Sequence, residues 1–79
     1  MTNRQKYDQA FMETFSIGAD ALNSELVYQS VPSWDSVGHM SLIAALEEAF
    51  EISMEMDDII DFGSYETGVK TLAKYGVTI

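Results

Sequence analysis

Cysteine is absent from these 79 residues, so no disulfide braces the chain and no thiolate can hold a metal. The polypeptide also has no thiol of its own with which to form a thioester. Proline occurs once, at Pro32, and there are four basic residues against thirteen acids. No apolar run approaches the roughly 18 residues needed to cross a bilayer. The opening Met1-Thr2-Asn3-Arg4-Gln5-Lys6-Tyr7 lacks the apolar core of a signal peptide, so a soluble cytoplasmic protein is expected. No internal repeat or low-complexity tract is present.

Hydrophobic residues at 47% against charged residues at 22% describe a chain that folds rather than one that stays disordered. The length allows one domain, residues 1–79, burying only about 60% of what its unfolded chain exposes, so its stability should be modest. The net charge of −9 is unevenly placed. All acids lie between Asp8 and Glu66, while Arg4, Lys6, Lys70 and Lys74 lie outside that stretch. Such a surface repels nucleic acid and anionic membranes and attracts basic partner surfaces, if it does more than keep the protein soluble.

Apolar periodicity places the helices. Tyr7, Ala10, Phe11, Thr14 and Phe15 share one face of a first helix, capped by Thr2 or Asn3, with Gly18 as its stop. A long connection, Ser16 to Trp34, follows. It has room for a short helical turn around Asp20 to Leu26, and Leu22, Leu26, Val27 and Val31 are placed to pin it down. In a second helix, Ser36 to Phe50, Leu42, Ile43, Leu46 and Phe50 form the core face. Val37, Met40 and Ala44 form a second apolar stripe, edged by Glu47 and Glu48. Either the long loop covers that stripe or it is a docking surface.

From Phe50 the pattern alternates through Ile52, Met54 and Met56, which reads as an extended connector, because a lone strand has no partner. Asp57 to Phe62 is a short third helix broken at Gly63. Ser64 caps a fourth, Tyr65 to Tyr75, with Tyr65, Val69, Leu72 and Ala73 inward and Gly76 as its end. The fold class is all-α, a small four-helix bundle of three main helices and a short third one, with a long loop between the first two.

The chemistry centres on Asp35-Ser36. Asp35 suits the N-cap of the second helix, which leaves Ser36 first in the helix with its hydroxyl free. A phosphate on that oxygen would sit at the positive end of the helix dipole. Ser36 and His39 are three apart, but no orienting acid and no oxyanion hole accompany them. A hydrolase is therefore disfavoured, and His39 reads as a partly buried spacer. Asp57-Asp58-Ile59-Ile60-Asp61 lacks the alternating ligands and central glycine of a calcium loop.

Helices, long loop and capped serine together resemble the acyl carrier proteins of the stand-alone bacterial type. The Asp-Ser-Leu hallmark of that family reads Asp35-Ser36-Val37 here, and the likeness continues through Leu42 to Phe50. The resemblance implies that Ser36 carries 4′-phosphopantetheine, moved from coenzyme A by a magnesium-dependent phosphopantetheinyl transferase. The arm's thiol would hold acyl intermediates as thioesters and deliver them between enzymes of a fatty acid, polyketide or specialised lipid pathway.

On that likeness the chain is not an enzyme, has no catalytic residue and no metal, and works as a monomer without nucleic acid or membrane insertion. Asp35 would also meet the transferase. Val37, Met40, Ala44, Glu47 and Glu48 would face acyl-loading and acyl-using enzymes with basic docking surfaces. Trp34 is expected to anchor the loop rather than lie beside the arm, and Met40, Met54 and Met56 either line an acyl pocket or fill core.

The chain departs from the family at Ser33-Trp34, where glycine with a small or apolar neighbour is usual, and at Gly38-His39. It also has Ser41 where fatty-acid carriers commonly have an acid. These departures favour a specialised pathway over housekeeping fatty-acid synthesis. The alternatives are an aminoacyl or peptidyl carrier, and an unmodified acidic protein–protein adaptor.

Overall fold

The structure, a computed structural model, describes residues 2–79. Four α-helices follow one another: α1 (Asn3–Phe15), α2 (Ser36–Phe50), α3 (Met56–Asp61) and α4 (Tyr65–Ala73), with a 3₁₀ turn at Ala19–Ala21. Among the described residues no strand forms and no helix is long and apolar enough to cross a membrane. The molecule is a small all-α fold.

Local chemistry explains most boundaries. Thr2 caps α1 in a capping box: its hydroxyl accepts the Gln5 N–H at 3.1 Å, and its own N–H donates to Gln5 Oε1 at 2.8 Å. α1 does not wait for Gly18 to end. Ser16 turns left-handed at φ 55°, and its N–H closes on the Met12 carbonyl; Gly18 has an ordinary φ of −88°. Glu51 ends α2 in the same way at φ 54°. Ser64 caps α4 by accepting the Thr67 N–H at 2.9 Å. That helix stops at Ala73, two residues short of the expected Tyr75.

α1 packs along α2. Tyr7, Phe11 and Phe15 from α1 meet Trp34, Phe62 and Tyr65 in an aromatic core backed by Leu42, Ile43, Leu46 and Leu72. The buried side of α4 is rotated from the expected one: Tyr65, Gly68, Thr71 and Leu72 face inward, Val69 is half-buried and Ala73 is exposed. Gly68 makes this possible, because a methyl group there would collide with the Tyr7 hydroxyl and the Phe62 ring. The Tyr7 hydroxyl is satisfied inside the core by the Tyr65 carbonyl at 2.5 Å, and burial pushes the Tyr7 phenol well above its ordinary value. Burial and then the hydrogen bond to Asp8 raise the Tyr65 phenol to about 12.

The connector after α2 packs as expected at Met54, which is buried, but Met56 opens α3 and is 69% exposed. α3 is held at its side by Asp58. Its carboxylate accepts from the Tyr75 hydroxyl at 2.5 Å and from Lys74 Nζ at 3.0 Å, and these two bonds lower the Asp58 pKa.

A group whose folded pKa is depressed contributes fully above its unfolded value of about 3.9, and that contribution is lost as pH falls through the folded value. Acidification from about pH 5 to pH 2 should therefore loosen α3 from the C-terminal end of α4. Asp58→Asn should be less stable at neutral pH and should show a shallower acid loss in denaturant titrations. Superimposable acid curves for the two proteins would show that the Asp58 bonds contribute nothing.

Candidate functional site

The loop from Ser16 to Asp35 is more ordered than its length suggests. An isolated antiparallel bridge joins Val27 to Ser64, made by Tyr28 N–H to the Gly63 carbonyl and Tyr65 N–H to the Leu26 carbonyl, each at 2.9 Å. The backbones of Leu26 and Tyr28 thus pin the loop, while the Val27 N–H and carbonyl turn back to Ser30 and Val27 stays 40% exposed. Leu26 is buried, with Leu22 and Val31 partly so. Gln29, at φ 67°, turns the chain, and its N–H donates to the Trp34 carbonyl at 3.0 Å.

These contacts set the height at which Trp34 enters the core. Its ring is 0% exposed and stacks on Phe15 at 5.0 Å and 22°, with Phe11 edge-on at 5.6 Å. Trp34 is the expected anchor. The next residue, Asp35, caps α2 by accepting the Gly38 N–H at 2.8 Å, as its position predicts.

Gly38 has a steric reason in the fold. The Ser33 carbonyl lies so close to its Cα that any Cβ would strike it, and the Phe15 ring lies just beyond. Glycine in a helix lowers stability by about 1 kcal/mol relative to alanine. Here it lets the loop backbone lie against the first turn of α2.

Ser36 is exposed, and its hydroxyl sits 3.3 Å from the Tyr28 hydroxyl. It opens onto a groove of about 390 Å³ between α2 and α3, lined by Tyr28, His39, Met40, Met56, Ile59, Ile60 and Phe62. The expected second stripe on α2 is not covered by the loop: Val37 is 76% and Met40 53% exposed, and Ala44 is exposed beside them. Across the groove Ile60 is 70% exposed. Asp35, Asp57 and Asp61 are exposed on the segments that bound the groove, and Glu48 is exposed farther along α2, where it lines a separate cleft with Lys6 and Glu13 of α1. Glu47 differs from Glu48. It is half-buried and accepts the Met54 N–H at 2.8 Å, so it holds the connector to α2. Of the three methionines, Met40 and Met56 line the groove and Met54 belongs to the core.

His39 is more than a spacer. The Trp34 indole N–H donates to its Nδ1 at 3.0 Å, and its Nε2 lies 2.8 Å from the Ile59 carbonyl. Because an indole only donates and a carbonyl only accepts, the ring is the neutral tautomer with its proton on Nε2. Both nitrogens are thereby committed, and the partner of the Ser36 hydroxyl is Tyr28. Tyr28 and the His39 bridge escaped the sequence reading. The available signal was an aromatic residue in the loop and a Trp–His spacing of five, neither of which has a fixed structural meaning.

Replacing Gly38 by alanine tests the close approach. Helix propensity alone should gain about 1 kcal/mol, whereas overpacking of this kind costs about 1–3 kcal/mol. A net loss of stability is expected in chemical denaturation, and a gain would show that the loop does not rest on this turn. Compared with models of protein families, with curated proteins and with solved structures, the chain matches none.

Proposed function

We propose that this protein is a carrier with the four-helix arrangement of the acyl carrier proteins, bearing 4′-phosphopantetheine on Ser36 and presenting acyl thioesters to a series of enzymes. The observation that carries this reading is the placement of Ser36. It is an exposed hydroxyl at the first position of a 15-residue helix, capped from behind by Asp35, at the mouth of an apolar groove. A phosphodiester there meets the positive end of the helix dipole. The arm beyond it can lie along Met40, Met56 and Ile60, whose exposure is otherwise unexplained.

The chain's own residues have limited tasks in this scheme. Asp35 fixes the first turn and so aims the serine oxygen outward. Tyr28 gives that oxygen a hydrogen-bonding neighbour before modification. The transferase supplies metal and base, so nothing beside Ser36 needs to activate it. Val37, Met40 and Ala44 offer partner enzymes apolar contact, and Glu48 with Asp35 and Asp57 steers basic surfaces toward them. Glu47 contributes mainly by keeping the connector in place.

Incubating the protein with coenzyme A, magnesium and a broad-specificity phosphopantetheinyl transferase should add one phosphopantetheine by intact mass. Ser36→Ala should add none. An unchanged mass for the folded wild-type chain would sink the carrier reading in favour of an acidic adaptor. In the same assay Glu48→Lys should slow modification more at low ionic strength than at high, because exposed charges separated by more than about 10 Å are screened at 0.1 M salt. Equal slowing at both would argue against electrostatic steering by this residue.

A further inference from the structure

We infer that Trp34 and His39 bar the space between α2 and α3, so that cargo on the arm stays in the outer groove and the protein serves compact acyl groups rather than long chains stored in its core. This rests on Ser36 bearing the arm. The bar is the chain of two hydrogen bonds already described, running from the Trp34 indole through the His39 ring to the Ile59 carbonyl. It ties the loop, α2 and α3 together along the floor of the groove that Ser36 opens onto.

A chain entering the core by this route has to part His39 from Ile59. That leaves a buried or half-buried donor and acceptor unpaired, a penalty that apolar contact does not repay in kind. Beyond the bar, the space is already filled with rings. Trp34 stacks on His39 at 6.3 Å, His39 meets Phe62 at 6.3 Å, Phe62 stacks on Phe11 at 6.2 Å, and Trp34, Phe62, Leu42 and Leu46 have no solvent exposure. Methylenes pushed among them would displace contacts equal to those they make. In the outer groove, by contrast, Met40, Met56 and Ile60 already lie open and adapt to a small group at no such loss.

The experiment loads the holo-protein with straight acyl groups from two to twelve carbons, confirms arm and cargo by intact mass, and follows two readouts. The first is the rate at which hydroxylamine cleaves the thioester. The second is the indole N–H resonance of Trp34, the only tryptophan in the chain. Burial of a chain in the core would slow cleavage by about fourfold for each added methylene, the equivalent of 0.8 kcal/mol per CH₂.

The expected result is a rate nearly independent of length and an indole resonance that does not move. His39→Leu removes both bonds while keeping an apolar side chain, and it should acquire a length-dependent slowing. If that variant fails to fold, Trp34→Phe, which loses only the first bond, should acquire a weaker dependence. Length-dependent protection of the wild-type protein, with a moving indole signal, would overturn the inference and leave the carrier reading intact. An arm that never appears in the mass would overturn both.

Discussion

The indole of Trp34 has to be out of water and has to donate its N–H, and most of the structure around the candidate site follows from meeting both needs. The ring obtains burial from Phe11 and Phe15 of α1. The N–H obtains an acceptor from His39 of α2, whose other nitrogen then reaches the Ile59 carbonyl of α3. A single side chain in a loop is thereby fastened to three helices. Large aromatics contribute heavily to small cores, and a tryptophan that is also hydrogen-bonded fixes position as well as adding burial. Asp35 and Ser36 are the next two residues, so the cap and the exposed hydroxyl inherit their placement from this anchor.

A core built on six large aromatics suits a chain of this length. With no disulfide or metal to brace it, each buried residue must remove much apolar surface from water. Phenol hydroxyls come with the tyrosines, and the fold satisfies them: Tyr7 on the Tyr65 carbonyl, Tyr65 on Asp8, and Tyr75 on Asp58. Glycine at 68 and at 38 removes the methyl groups that would hold the rings of the core and the loop backbone apart. The local loss of helix propensity is the consequence of letting elements approach so closely.

The surface is not uniformly polar. Polar and charged groups cover most of it, yet Val37, Met40, Met56 and Ile60 lie open around one serine. Exposed apolar groups gathered in one place are uncommon on small monomers and mark surfaces that something else covers in turn. A swinging arm and a succession of enzymes would use such a patch transiently, and the acids around it would set orientation and encounter rate without holding any partner permanently.

The helices, their caps and the candidate hydroxyl were legible in the sequence, because each depends on contacts within a few residues. The 3.6-residue spacing of Tyr7, Phe11 and Phe15, and of Leu42, Ile43 and Leu46, is a local pattern; so are Asp35 before Ser36 and Ser64 before Thr67. Tertiary structure alone decided the rest. α4 turned Gly68 inward, against the Tyr7 hydroxyl and the Phe62 ring. Glu47 was drawn to the Met54 N–H, and His39 became a bridge between indole and carbonyl. Residues 5 to 61 positions apart make these contacts, and which groups meet at such separations depends on the folded arrangement of the helices, not on any local repeat.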